Sequence, residues 1–317
     1  MSTSHPPTPP NAANPHALTV LTMAGLPDYA LLDSGHGRKL ERYGSYTFDR
    51  PEPQAMWKQQ LAPAVWLRAD ATFKDGGKDA GKDGDDDGET GRWRFAKPLP
   101  SAWPVHVMGV TLQCRLMSFR HLGLFPEQVP HWQWMLDRIK TVKGEQPRVL
   151  NLFAYTGAAS LIAARAGADV THVDASKKAI GWAKENQAAS KLTDATVRWI
   201  LEDARKFVAR EVRRGKTYHI ILIDPPKFGR GPEGEVWDFF THMPQMLRDC
   251  AKLLAPKYAS MIVTSYAIRA SALAIDGLVR ECVDGRAGTF DTGELAIPET
   301  GSQRLLPTSL FTRWSAL

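Results

Sequence analysis

The sequence predicts a doubly wound α/β sheet of seven strands ending in an antiparallel hairpin, preceded by a small β-rich unit. Three observations carry this. Residues 148–153, Arg-Val-Leu-Asn-Leu-Phe, form an almost continuous apolar run, as in a strand buried on both faces. Strand candidates at 169–173, 197–201, 219–223 and 260–264 then alternate with helical stretches near 158–167, 176–190, 204–215, 236–254 and 269–283. The rhythm breaks at the end, where 289–298 and 305–314 read as consecutive strands with no helix between them.

The N-terminal part is organised differently. Residues 1–27 hold six prolines and no charged side chain, and read as a flexible tail, with 18–26 able to lie on the fold. From 28 to 112 the pattern is short and strand-like. Residues 29–33 and 38–43 flank Ser34-Gly35-His36-Gly37 and predict a β-hairpin. Residues 64–67, 93–95 and 105–107 read as further strands, with Trp57, Trp66, Trp93 and Trp103 as core candidates. Residues 74–92 carry six glycines and a dense run of aspartates, which cannot bury apolar surface, and predict a flexible insertion. Asp83, Asp85 and Asp87 mimic half of a calcium loop, but its twelfth position holds Arg94, not Glu, so no metal site is expected.

Composition bounds the rest. The chain has 317 residues, 43% apolar and 23% charged, enough for two unequal units of globular type. Its net charge is +6. The acidic insertion holds four positive and seven negative charges, so the remainder carries +9, which permits a nucleic-acid partner. Cys114, Cys250 and Cys282 are too few and too far apart for a disulfide scaffold or a CxxC metal pair. No apolar run reaches the ~18 residues of a membrane span, and no basic n-region opens the chain. A cytoplasmic protein is expected.

In an open α/β sheet the ligand sits beyond the carboxyl ends of the strands, and four such ends are informative. At the first, Phe153-Ala154-Tyr155-Thr156-Gly157-Ala158 turns from strand to helix, and Gly157 would permit close backbone approach to a ligand. At the second, Asp174, before Ala175 and Ser176, can accept from two ribose hydroxyls or cap the next helix. At the third, Asp203-Ala204 offers the same two readings, with an adenine amino group as the ligand donor. At the fourth, Asp224-Pro225-Pro226-Lys227-Phe228 follows a buried strand, and two prolines stiffen the turn and remove two N–H donors.

Together these four segments resemble class I S-adenosylmethionine-dependent methyltransferases with a Rossmann-like sheet. The likeness is to the bacterial large-subunit ribosomal RNA cytosine-C5 and guanine-N7 enzymes and to a proteobacterial subgroup of their relatives. It covers about 113–317 and extends upstream through 119–128, where Phe119, Glu127 and Gln128 match a segment that lies over the cofactor. The resemblance implies that Phe153 to Ala158 wrap the methionine part of S-adenosylmethionine. It implies that Asp174 to Ser176 hold the ribose and that Asp203 and Ala204 read the adenine. Asp224, Pro225, Pro226 and Lys227 would face the transferred methyl.

One departure is chemical. The cytosine-C5 reaction needs a thiolate after the fifth strand, and the matching segment is Val263-Thr264-Ser265-Tyr266-Ala267. Direct transfer to a base nitrogen is therefore expected, with Phe228 or Tyr266 stacking the base. Basic residues such as Arg38, Lys39, Arg42, Arg205, Lys206 and Arg210 suggest an RNA surface, with ribosomal RNA as the expected substrate. A small-molecule or protein methyltransferase, or a non-catalytic RNA-binding factor with the same fold, is the alternative.

Overall fold

The computed structural model describes residues 14, 16–23, 25–75, 91–266 and 268–316. Residues 1–13 and the calcium-like stretch inside the acidic insertion lie outside them.

The chain begins with β1 (Leu18–Thr22), β2 (Tyr29–Gly35), β3 (Arg38–Tyr43) and β4 (Tyr46–Pro51). One helical turn, α1 (Pro63–Trp66), precedes β5 (Ala71–Asp75), β6 (Gly91–Phe95), β7 (Trp103–Val107) and β8 (Val110–Cys114). A 3-10 turn (Pro126–Gln128) leads into α2 (Val129–Thr141). The alternating part follows as β9 (Arg148–Leu152), α3 (Ala158–Arg165), β10 (Asp169–Asp174), α4 (Lys177–Ala189), β11 (Val197–Leu201), α5 (Ala204–Arg213) and β12 (Ile220–Ile223). A small hairpin, β13 (Phe228–Arg230) and β14 (Val236–Asp238), interrupts before α6 (Phe239–Lys252), β15 (Ser260–Tyr266), α7 (Ala272–Cys282), β16 (Gly288–Pro298) and β17 (Leu305–Ala316).

The large sheet runs β1-β16-β17-β15-β12-β9-β10-β11. Strands β9 to β12 and β15 are parallel, and β17 runs antiparallel to both β15 and β16. Their pairing aligns the carboxyl ends, with Leu152 opposite both Val173 and Ile223, and Ile223 opposite Val263. Strand order reverses between β9 and β12, which places a crevice there.

Period-two alternation feeds two cores. Val149, Ile220, Leu222 and Ile262 pack with Trp132, Met135, Leu161 and Ile162 of α2 and α3. Leu150, Ile221, Ile223, Met261 and Val263 pack with Phe207, Met243, Leu247 and Val279 of α5 to α7. Helix starts follow the sequence. Ser176, Asp203, Asp238 and Ser271 each accept a backbone N–H in the first turn.

Several expectations needed correction. Residues 18–22, assigned to the tail, pair in parallel with β16 as an eighth strand. Residues 64–67 form no strand. Pro63 at the first helical position favours the turn α1 instead. The boundary at 112/113 falls within β8, and Tyr29, Tyr43, Phe48, Val105 and Leu112 share one apolar cluster with Val149 and Leu161. Helix α2 was not anticipated, although Val129, Trp132, Met135 and Ile139 recur three or four residues apart. Its neighbours Pro126 and Pro130 obscured that signal.

Candidate functional site

A cavity of about 570 Å³ opens over the ends of β9, β10, β12 and β15. Its first wall is the loop after β9. Phe153 and Tyr155 adopt left-handed backbone conformations (φ 55° and 50°), and Gly157 a third (φ 84°). Such conformations cost about 1–3 kcal/mol each at non-glycine residues and persist only where the surroundings fix them. Here the fixing is explicit. Tyr155 N donates to Asp174 Oδ2 at 2.8 Å, Thr156 Oγ1 to the Gly123 carbonyl at 2.7 Å, and Asn186 Nδ2 to the Thr156 carbonyl at 2.9 Å.

Gly157 itself does not line the cavity. A Cβ there would meet Ala183 Cβ of α4 at 3.0 Å, so the glycine serves helix packing and the positive φ, not ligand approach. Beneath this loop, Asn151 Nδ2 donates to Ser160 Oγ, which pairs with His172 Nδ1 at 3.0 Å. Burial pulls His172 down to about 3, so it is neutral.

Asp174 does not cap α4. Ser176 Oγ does that, and Asp174 accepts from Ser176 N through Oδ1 at 2.8 Å. With both oxygens engaged by backbone donors, the carboxylate is held at the cavity wall, and burial raises it above the usual carboxylate range. Asp203 does cap α5. Its Oδ1 accepts from Arg205 N at 2.9 Å and Lys206 N at 3.1 Å while the side chain still lines the cavity.

At the end of β12, Asp224 accepts from Gln128 Nε2 at 3.0 Å. Burial, and secondarily the charge of Glu127, push Asp224 up to about 7. Burial raises Glu127 as well. Pro225, Pro226, Lys227 and Phe228 continue the wall. The Pro226 carbonyl is not available to a ligand, because Trp237 Nε1 donates to it at 2.7 Å. That bond anchors the β13–β14 hairpin, which the sequence reading had absorbed into α6. Lys227 Nζ lies over the Phe228 ring, 4.9 Å from its centroid.

Phe119, Glu127, Gln128, Ala154, Ala158, Ala175, Ser176, Ala204 and Tyr266 also line the cavity, as expected. Phe119 and Phe228 are 47% and 41% exposed, so their rings face outward at the rim. Tyr266 accepts from Arg120 NH2 at 2.9 Å. Sequence reasoning missed Trp132, Asn151, Thr264 and Ser309. Only Asn151, polar within the apolar run of β9, carried a readable signal.

Arg38 and Lys39 stand elsewhere. Arg38 Nε pairs with Asp49 at 2.6 Å, and Lys39 Nζ sits 3.1 Å from Glu52 in a buried ion cluster with Glu41 and Arg50. The basic clusters are similarly occupied. Arg42 donates to the Gly44 and Pro27 carbonyls, Lys206 pairs with Glu233 and Glu235, and Arg210 pairs with Glu202. None of the three cysteines lines the cavity. Cys114 and Cys250 are buried, and burial pushes Cys114 up to about 12, so neither offers a thiolate.

Comparison with known proteins fits this geometry. Residues 133–233 match the family model described as conserved hypothetical protein 95. A ribosomal RNA large subunit methyltransferase K/L from Shewanella frigidimarina is 40% identical over 150 residues, 47% of this chain and 20% of that protein. The chain thus spans about a fifth of the length of the curated relatives it matches. A putative SAM-dependent methyltransferase from Streptococcus mutans shares the fold, with a TM-score of 0.66 at 17% identity over 92% of this chain and 76% of that one. A SAM-dependent methyltransferase from Agrobacterium tumefaciens superposes with a TM-score of 0.88 and 49% identity, covering 95% of this chain and 94% of that one. The fold, the strand-end cavity and that full-length likeness agree, and the chain belongs to the S-adenosylmethionine-dependent methyltransferases.

Proposed function

We propose that this cavity holds S-adenosylmethionine and that the protein transfers its methyl group to a nitrogen of an RNA base, with ribosomal RNA as the substrate. The observation that carries this reading is the strand-end cavity walled by Asp174, Asp203 and Asp224 with no cysteine in it. Its volume lies within the roughly 300–1,000 Å³ of small-molecule sites. The residues fit the cofactor. Asp174 is aimed and held by two backbone donors where a ribose diol would sit, and Asp203 stands beyond it.

When bound, the cofactor supplies an already activated methyl on a sulfonium. What the chain adds is placement and exclusion of water. The Gln128 bond fixes the Asp224 carboxyl at the methyl end, and the two prolines hold the turn behind it. Phe119 and Phe228 at the rim offer stacking surfaces for an extruded base. Without a cavity thiol the covalent cytosine-C5 route has no nucleophile, which leaves direct attack by the base.

The relatives named as ribosomal RNA methyltransferases support RNA as the substrate class. A small-molecule substrate is the second reading. It is favoured by the internal pairing of the basic side chains on α5 and in the N-terminal sheet. Among the described residues no helix is long and apolar enough to cross a membrane.

Nucleoside mass spectrometry of ribosomal RNA from a deletion strain tests the proposal. One methylated base nitrogen should disappear and return when the purified enzyme is added with S-adenosylmethionine. An unchanged nucleoside profile, with no RNA binding at low salt, would transfer the case to the small-molecule reading.

A further inference from the structure

S-adenosylmethionine carries one positive charge more than S-adenosylhomocysteine, its spent product, and both must use the same cavity. The wall contains a feature suited to reading that charge. Asp224 at the end of β12 and Glu127 on the 3-10 turn are carboxylates lining one cavity, and Gln128 Nε2 fixes Asp224 from that same turn. Behind Glu127 the cations of the N-terminal sheet are matched locally, Lys39 against Glu52 and Glu41, and Arg50 against Glu41. The remaining titratable and charged groups on the wall are His121, Asp174, Asp203, Lys227, Arg230 and Tyr266. Asp174 and Asp203 belong to the ribose and adenine side, where backbone donors engage them.

We propose that Asp224, backed by Glu127, distinguishes the cofactor from its spent product by exchanging a proton for the sulfonium. When the sulfonium binds, the Asp224 carboxyl releases its proton to solvent and remains as the counter-charge. When the neutral thioether binds, the proton stays. After methyl transfer the sulfur is neutral, and the buried carboxylate takes a proton back from solvent. Two like charges in one desolvated cavity cannot both ionise without cost, and Asp224 lies near 7 for that reason. The inference rests on the cofactor occupying this cavity.

The test is calorimetry of the full chain with each ligand separately, in two buffers of different ionisation heat. The difference between the ligands cancels protons from the amino-acid moiety they share. For a group near 7, S-adenosylmethionine should release about 0.9 proton more than the product at pH 6, about 0.5 at pH 7 and about 0.1 at pH 8. Its affinity should rise about tenfold from pH 6 to 8 while that of the product stays level. Asp224→Asn should abolish the difference. Glu127→Gln should keep it but move it to lower pH, a second reading if the first variant does not fold. Equal proton counts for the two ligands across this range would overturn the inference while leaving the cofactor placement intact. If Asp174→Ala leaves both affinities unchanged, the placement falls and takes this inference with it.

Discussion

Asp174→Ala separates two roles that the structure superimposes. The carboxylate accepts Tyr155 N and Ser176 N, each at 2.8 Å, so it ties the strained loop after β9 to the entry of α4. It also lines the cavity, where the proposed ribose would add two more donors. Losing two hydrogen bonds to a charged acceptor costs roughly 3–6 kcal/mol. Part of that returns, because burial disfavours this carboxylate and an alanine removes the charge. A net loss of about 2–3 kcal/mol is expected, seen as a melting point lower by several degrees. Loss of the ribose contacts adds about 1.5–3 kcal/mol to binding alone, or roughly 10- to 150-fold in Kd. Thermal melts and calorimetry well below the transition measure the two terms. Asn186→Ala is the control. It loosens the same loop by freeing the Thr156 carbonyl, yet Asn186 does not line the cavity, so its effect should fall on stability. If Asp174→Ala melts early but binds S-adenosylmethionine with the wild-type Kd, the residue is only a loop clamp and the ribose assignment is wrong.

Other outcomes follow from the same geometry. The Asp224 carboxyl is raised from its ordinary 3.8 to about 7, so the folded state binds the extra proton. Stability from this group is greatest below about pH 4 and declines as pH rises to about 7. Asp224→Asn should therefore stabilise the ligand-free protein at pH 8, with a ceiling of about 4 kcal/mol, and change little at pH 4; denaturant melts at both values check this. Gly157→Ala should lose about 1–2 kcal/mol from the left-handed φ, and more from the 3.0 Å approach to Ala183; a melting point equal to wild type would contradict it. Arg38→Ala should leave the salt slope of RNA binding unchanged, because Arg38 already pairs with Asp49. A slope smaller by about one would show that it meets a phosphate.

The sheet was legible because buried parallel strands are apolar throughout and their helices announce themselves with caps. Residues 148–153, 197–201 and 260–264 needed no tertiary information. The cavity residues were legible for a related reason, since carboxyl ends of strands must gather at one edge of a parallel sheet. What the sequence hid was whatever depends on partners distant in the chain. Leu18 and Val20 read as tail because an edge strand exists only through its neighbour, here β16. Arg38, Lys39 and Arg210 read as an open basic surface because the sequence does not show Asp49, Glu52 and Glu202 beside them. Gly157 read as a ligand contact because the ring of packed residues around it includes Ala183, 26 positions on.

Those distant partners also change what the N-terminal strands are for. A separable RNA-binding module would meet the catalytic sheet across a thin polar boundary. Instead, β1 extends that sheet, and Thr300 N donates to the Leu31 carbonyl. Arg304 joins Glu299 to Asp33. Arg50 donates to the Arg120 carbonyl, and Arg120 in turn holds Tyr266 on the cavity wall. Val105, Val107 and Leu112 belong to the core that also contains α2 and α3. Cutting the chain near 113 would expose that core and leave Glu127 without the cations that face it from Lys39 and Arg50. Truncation therefore cannot report on substrate contacts. Any RNA that pressed on β2 to β4 would act on Tyr266 and Glu127 through buried ion pairs, which makes the N-terminal sheet a structural part of the catalytic wall.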